Sequence, residues 1–494
     1  MLSAALPPTG LWPLLLALVP LFVLVATSTR KRDAFWLGFA FGLPFFTLYI
    51  LWLPASFSTP EFFGSAFWLL YPPMLLILAA FWGLVTLAAR TLGGSGRAVL
   101  LLLPPLWILM EWARTQGYFA FPWGTLGYAW LGTPVAQLAD TFGVWGLGLL
   151  TTAACALLAT PFVPARPIPV SGGRASPLAG ILPILVAGAL LAAGWWAGSL
   201  KLQRELPQPE LTALLVQGNF DPFGRVLGPG QEVDIQTRLT TEAVAAMAPP
   251  PDLVVWPEGA VIGGLRGQSG AQVRGQIQAS SPESTFLVGA RTSADGRSYN
   301  SGLVIRGGAE VDRYDKNYLV PFGERFPFVE AAAPLYRAVF GLFGLPMLEG
   351  TTPGETLDPL DSPLGGLGAY ICYESVFPQV QRALVGEGAG VLVNITNDAW
   401  FSRGDGAQQH YLMGSMRAIE TRRYIVRAGI DGITGLVDPL GRTVSQLPRH
   451  TEGVLAVQFS LSDEVTPFVR YGHLLLPVLA AWIVLGLVWR LRQR

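Results

Sequence analysis

The sequence predicts a multi-span α-helical membrane domain joined to an extracytoplasmic domain of mixed α and β structure, and three observations lead to that fold class. Of the 494 residues, 51% are hydrophobic and only 13% charged, a balance far from that of a soluble enzyme of this length. The long uncharged runs crowd into the first two hundred positions and the last twenty, so the apolar part is segregated. Between them the chain breaks into short β-rich runs punctuated by Gly, Pro and polar residues, which is how a globular domain reads.

A crossing helix needs roughly 20 apolar residues. Candidates fall at about 9–28, 35–53, 65–89, 97–113, 141–162, 178–199 and 472–490, seven in all. Basic residues gather after the first, third, fifth and last of these: Arg30, Lys31 and Arg32; Arg90 and Arg97; Arg166 and Arg174; Arg490, Arg492 and Arg494. Such clusters stay in the cytoplasm. The N-terminus, the segment near 114–140 and the region from about 200 to 471 are therefore expected on the opposite side. The opening MLSAALPPTG has no basic residue before its apolar run, so that run is expected to persist as a span rather than serve as a signal peptide. Glu111 and Arg114 close one span and read as membrane-interface residues, and Cys155 as a small buried hydrophobe. The expected organisation is a transmembrane domain over 1–200 with about six spans, an extracytoplasmic domain over 205–465, and a C-terminal transmembrane helix over 472–490.

From Leu211 the β-rich runs are LTALLVQGN, DLVVWPEGA, STFLVGART, NSGLVIRGG, AEVDRYDK, GAYICYES, GVLVNITND, RYIVRAGID, GITGLVDPLGR and GVLAVQF. QEVDIQTRLTTEAVAAMA and GAQQHYLMGSMRAIETRRY carry apolar positions every three or four residues and predict helices. Gly307-Gly308 predicts a hairpin, and Asp438-Pro439-Leu440-Gly441 a second turn. FPFVEAAAPLYRAVFGLFGLPMLEG, 326–350, is apolar and aromatic yet too interrupted to span, and predicts an arm against the membrane surface, hinged near Gly341 and Gly344. Thirty-three basic residues balance 33 acidic ones, which excludes a nucleic-acid partner on charge. Two cysteines allow no disulfide framework, and three scattered histidines with no Cys-x-x-Cys suggest no metal and no cofactor.

Catalytic groups collect where a strand stops and a loop begins, since the sheet holds them while they reach a cleft. Glu258 ends DLVVWPE, Lys316 ends AEVDRYDK and Cys372 ends GAYIC. Alone, each has an ordinary reading: a turn carboxylate, a solvated lysine, a packed thiol. Together they form an acyl-transfer set, with Glu258 taking the thiol proton, Cys372 attacking a carbonyl and Lys316 stabilising the oxyanion. A Cys-His hydrolase using His410 is a competing enzyme reading, although a helical pattern beside Gln408 and Gln409 explains that histidine equally well. A transporter or lipid-binding scaffold is the non-enzymatic rival, disfavoured because the spans lack intramembrane charge pairs.

The triple WPEGA, YDKNYLVPFGE and ICYE resembles the Glu-Lys-Cys signature of the nitrilase superfamily of carbon-nitrogen hydrolases. With the flanking spans, and with FPWGTLGY, VQGN, YNSG, NDAWF and QQH, the chain resembles over nearly its whole length the membrane-embedded branch of that superfamily, the apolipoprotein N-acyltransferases. The resemblance implies an αββα sandwich outside a bacterial cytoplasmic (inner) membrane. Glu258 would be the general base, Lys316 the oxyanion stabiliser and Cys372 the nucleophile. Glu324, Glu374, Asn300 and His410 would support them, and the Tyr373 N–H would donate to the oxyanion. It implies ping-pong transfer of an acyl chain from a membrane phospholipid to a diacylglyceryl apolipoprotein by a monomer. A tethered amidase acting on a small soluble amide shares the triad and is the alternative. Two departures stand out: the family has eight spans where seven are counted here, so an initial helix is lost or the start lies upstream, and Phe220, Asp221, Pro222 and Phe223 follow VQGN where the family carries a Trp.

Overall fold

Each of the seven apolar runs folds as helix in the computed structural model, which describes all residues except 59–63, 165–177, 221–229, 263, 266, 327, 343–349, 402–403 and 493–494. The helices are α1 (Trp12–Thr27), α2 (Lys31–Tyr49), α3 (Phe67–Gly93), α4 (Arg97–Ala113), α5 (Ala139–Ala159) and α6 (Leu178–Leu202), with a last helix, Leu475–Arg492, at the C-terminus. Among the described residues four helical stretches are long and apolar enough to cross a membrane: Phe67–Gly93, Pro134–Phe162, Gly180–Leu202 and Pro467–Arg492. The other three fall short for local reasons. Trp12–Thr27 is too short, α2 opens on Lys31, Arg32 and Asp33, and α4 has only 17 residues. Arg166, Arg174 and Arg494 lie outside the described residues.

The middle of the chain forms two sheets. Strands β1 (Leu211–Gln217), β2 (Leu253–Val261), β3 (Thr285–Ala294), β4 (Arg297–Arg306) and β5 (Ala309–Asp315) build the first, joined at its edge by a C-terminal strand, Gly453–Phe459, antiparallel to β1. Strands β6 (Leu367–Ile371), β7 (Val391–Thr396) and β8 (Ile425–Gly429) run parallel in the second, followed by two short antiparallel strands, Gly435–Val437 and Thr443–Gln446. Side chains alternate across a strand, and the core shows it. Leu215, Val255 and Leu287 face Ile371, Val393 and Val426 of the other sheet. Leu214, Val254 and Phe286 pack instead on Val233, Leu239 and Ile277 of the helices Gln231–Val244 and Gly267–Ala279. The second sheet is covered by the helices Pro378–Gly386 and Gly406–Thr421. The order of layers is helix, sheet, sheet, helix, as expected. Both turn signals hold: Gly307-Gly308 joins β4 to β5, and Asp438–Gly441 joins the two short strands.

The helix Gly406–Thr421 also docks on the membrane domain, through polar contacts that leave little freedom. Glu420 accepts from the Val144 N–H at 2.8 Å, Arg422 pairs with Asp140 at 2.7 Å, and Gln409 accepts from the Trp52 indole at 2.9 Å. Glu111 and Arg114 differ from the interface reading. Both are buried: Glu111 accepts from Trp107 and the Leu126 N–H, and Arg114 donates to the carbonyls of Phe121 and Trp123. A buried charge needs such partners, and here they pin the 114–126 segment above α4.

Of the 326–350 arm, Val329–Leu342 is helical. Gly341 lies in its last turn rather than in an open hinge, and Gly344 lies outside the described residues, as do Asp221, Pro222 and Phe223.

Candidate active site

Cys372 follows β6 directly and opens a short 3-10 turn, Cys372–Val376. Its φ of 48° is left-handed, uncommon for a residue with a side chain, and strain of this kind collects at functional sites. Lys316 follows β5, where its N–H bonds the Asn300 carbonyl at 2.9 Å across the β4–β5 ladder. Glu258 departs from the strand-end expectation: it sits inside β2, at a break in the β2–β3 register between Trp256 and Val261. The break is possible because Gly259 takes φ +69° and because Gly289 on β3 leaves room, where a Cβ would collide with the Pro257 carbonyl. A bulge re-aims a side chain without ending the strand.

The side chains of Glu258, Lys316, Glu324 and Asn300 form one buried cluster. The Lys316 ammonium lies 3.2 Å from Glu258 and 2.9 Å from Glu324. Asn300 donates to both carboxylates, at 2.7 Å and 2.8 Å, and so bridges them. Burial works against the Lys316 charge, but Glu258 and Glu324 together outweigh it and hold the ammonium above the ordinary lysine range. Desolvation works against the Glu324 carboxylate as well, yet Lys316 and the Val320 N–H keep its carboxyl below the ordinary value. The second Glu258 oxygen, Oε2, has no hydrogen-bond partner among the described residues, so it is the atom with capacity for a proton. Cys372 is within electrostatic reach of both Glu258 and Lys316. Burial pushes its thiol well above the ordinary range, Glu258 adds to this, and Lys316 opposes both. At neutral pH this is a thiol that needs a base, not a resting thiolate.

Glu374 does not touch that cluster. Its carboxylate accepts the N–H groups of Ile371, Asn317 and Tyr318 and the Tyr314 hydroxyl, tying the Lys316 loop to the Cys372 turn. Tyr373 stacks on Trp123 and donates its hydroxyl to the Ala120 carbonyl at 2.6 Å, so the residue after the cysteine is fastened to the membrane domain. His410 is fully buried. Its Nε2 sits 3.0 Å from the Cys372 carbonyl and 2.7 Å from Ser375, and its Nδ1 3.1 Å from Asp398. These contacts hold the backbone of the Cys372–Val376 turn.

Three residues around His410 were not singled out in the sequence. Asp398 pairs with Arg427 at 2.7 Å, and Arg427 also donates to Asn394. Burial raises the Asp398 carboxyl, but Arg427 and His410 overcome it and hold it well below the usual range. A signal existed: an arginine in the middle of the apolar strand RYIVRAG must find a buried anion. Among the described residues no group of three or more His, Cys, Asp or Glu could hold a metal ion.

An αββα sandwich joined to long apolar helices, with a carboxylate and an ammonium in one cluster and a thiol within their electrostatic reach, is the arrangement expected of a membrane-bound member of the carbon-nitrogen hydrolases. Comparison with known proteins agrees: residues 231–465 match the Carbon-nitrogen hydrolase family, and residues 1–157 the Apolipoprotein N-acyltransferase N-terminal domain. The Apolipoprotein N-acyltransferase of Geobacter metallireducens is 31% identical over 96% of this chain and 90% of its own length. That of Azotobacter vinelandii is 31% identical over 100% and 93%. The solved structure of Saccharomyces cerevisiae Nit3, a member of branch 10 of the nitrilase superfamily, aligns over 55% of this chain and 95% of its own at 16% identity, with a TM-score of 0.40. The chain belongs to the apolipoprotein N-acyltransferase family.

Proposed function

We propose that this protein N-acylates lipoproteins by a ping-pong exchange at Cys372. Glu258 takes the thiol proton as the sulfur attacks the ester carbonyl of a membrane phospholipid. The tetrahedral oxyanion is met by the Lys316 ammonium and by the N–H of Tyr373, the residue directly after the nucleophile. Collapse breaks the ester bond, and the departing alkoxide of the lysophospholipid takes the proton back from Glu258. The thioester then meets the α-amino group of an N-terminal diacylglyceryl-cysteine. The C–N bond forms, the C–S bond breaks, and Glu258 carries the amine proton to the leaving sulfur.

The observation that carries this reading is the fastening of the nucleophile turn to the membrane domain, through Tyr373, Ala120 and Trp123. A small-amide hydrolase has no need of it, whereas a donor and an acceptor both anchored in lipid do. The basic clusters support seven crossings, with the 205–465 domain on the extracytoplasmic face of the cytoplasmic membrane. A monomer would contain every residue named. The test is to incubate purified protein with phospholipid and a synthetic diacylglyceryl-cysteine peptide. Amide-linked triacylated peptide with stoichiometric lysophospholipid is expected; release of free fatty acid with no peptide product would replace this reading with hydrolysis.

A further inference from the structure

One turn beyond Lys316 the chain reverses tightly, with the N–H groups of Gly323, Glu324 and Arg325 all directed to the Val320 carbonyl. Glu324 points inward to Lys316. Its neighbour Arg325 goes the other way and lays its guanidinium over the Tyr118 ring, 3.9 Å from the centroid. Tyr118 belongs to the segment that follows α4, so this contact bridges the membrane domain and the catalytic domain. Around it stand Phe119, Phe322 and Phe328, in ring contact across the same gap: Phe119 with Phe322 at 5.9 Å, Phe119 with Phe328 at 6.2 Å, Tyr118 with Phe328 at 5.4 Å. These rings are not core. Tyr118 is 43% exposed, Phe119 55%, Phe322 50% and Phe328 61%. Phe322 and Phe328 also adopt φ of 61° and 54°, a conformation costly for a bulky residue and kept where it serves a purpose.

A guanidinium carbon held over an aromatic ring leaves N–H donors at the guanidinium edge able to bond, and those donors match the fork of two phosphate oxygens. Among the described residues no carboxylate pairs with Arg325, and the nearest in sequence, Glu324, is committed to Lys316. A cation with open donors, ringed by exposed aromatics and one residue from the oxyanion-stabilising cluster, has the polarity of a phospholipid at the membrane surface. We infer that Arg325, stacked on Tyr118, binds the phosphodiester of the donor phospholipid, while Phe119, Phe322 and Phe328 take the adjoining lipid surface. The inference rests on the acyl-transfer reading. It adds the reason why a phosphate-bearing lipid is chosen over other esters, since the phosphate at Arg325 sets the ester carbonyl against Lys316.

The test follows acyl-enzyme formation at Cys372 by intact mass, with dipalmitoylphosphatidylglycerol as donor and with dipalmitoylglycerol, which lacks the phosphate, as donor or competitor in the same micelles. In Arg325→Ala the KM for the phospholipid is expected to rise about tenfold with little change in kcat. The preference over dipalmitoylglycerol should fall by the same factor, and Arg325→Lys should restore part of it. An equal loss for both lipids would mean that Arg325 only fastens the two loops, and would overturn the inference. Inhibition by inorganic phosphate as strong as by the phospholipid would overturn it too, by making this a site for free phosphate. If the unmodified protein takes an acyl group from neither lipid, the acyl-transfer reading itself fails, a result distinct from a phospholipid-active enzyme that is indifferent to Arg325→Ala.

Discussion

Two charged clusters flank Cys372, and they are built alike but do different work. On the thiol side Glu258, Lys316, Glu324 and Asn300 share one ammonium between two carboxylates. On the backbone side Asp398, Arg427, Asn394 and His410 share one guanidinium and one imidazole around a single carboxylate. The first leaves a carboxylate oxygen, Glu258 Oε2, without a partner among the described residues, whereas both Asp398 oxygens are engaged. The lesson is that burial and ion pairing do not by themselves mark a catalytic group. In the proposed mechanism the difference lies in spare capacity for a proton at Glu258 Oε2, together with its electrostatic reach to the Cys372 thiol rather than to the Cys372 carbonyl.

Removing the ammonium should separate the clusters most sharply. Lys316→Met leaves Glu258 and Glu324 facing one another in a buried site, and should lower acyl-enzyme formation about 10³-fold. It should also cost about 3–5 kcal/mol of stability by thermal melting, as a broken buried pair does. Asp398→Ala strips Arg427 of its anion and should destabilise by a similar ~3–5 kcal/mol. Its rate loss at a temperature where it remains folded should be smaller, and a loss equal to that of Lys316→Met would erase the distinction. His410→Ala comes next: slow acyl-enzyme formation should persist within about tenfold, the scale of a lost positioning hydrogen bond or two. Complete inactivity in the folded variant would revive a Cys-His mechanism. The smallest effect concerns pH. With the thiol held above its ordinary range by burial and by Glu258, alkylation of Cys372 by a small reagent should still be climbing at about pH 9, where ordinary thiols near 8.5 are levelling off. A plateau below neutrality would show a resting thiolate.

The same contrast explains what could be read from the sequence. The mixed α and β character was legible because strand alternation and helical periodicity are local, whereas the αββα layering came only with the resemblance to the nitrilase superfamily. Glu258, Lys316 and Cys372 were legible because each sits in a motif at or near a strand terminus, although the bulge that re-aims Glu258 within β2 depends on Gly289 of a neighbouring strand. The Asp398–Arg427 pair was not read, since its members are 29 residues apart and meet only when β7 and β8 align. Nor were the Tyr373–Ala120 and Arg325–Tyr118 contacts, which join the two halves of the chain. Glu111 and Arg114 were misjudged for the same reason: Leu126, Phe121 and Trp123, which bond them, lie on a loop that folds back over the end of α4.

Whether Cys372 carries the acyl group decides the mechanism, and intact-mass spectrometry of the purified protein after exposure to phospholipid, beside Cys372→Ala, asks this directly. A mass gain of one acyl chain, removed by hydroxylamine and missing from the variant, is expected of a thioester at Cys372. No gain in the unmodified protein, or an equal gain in Cys372→Ala, would contradict it.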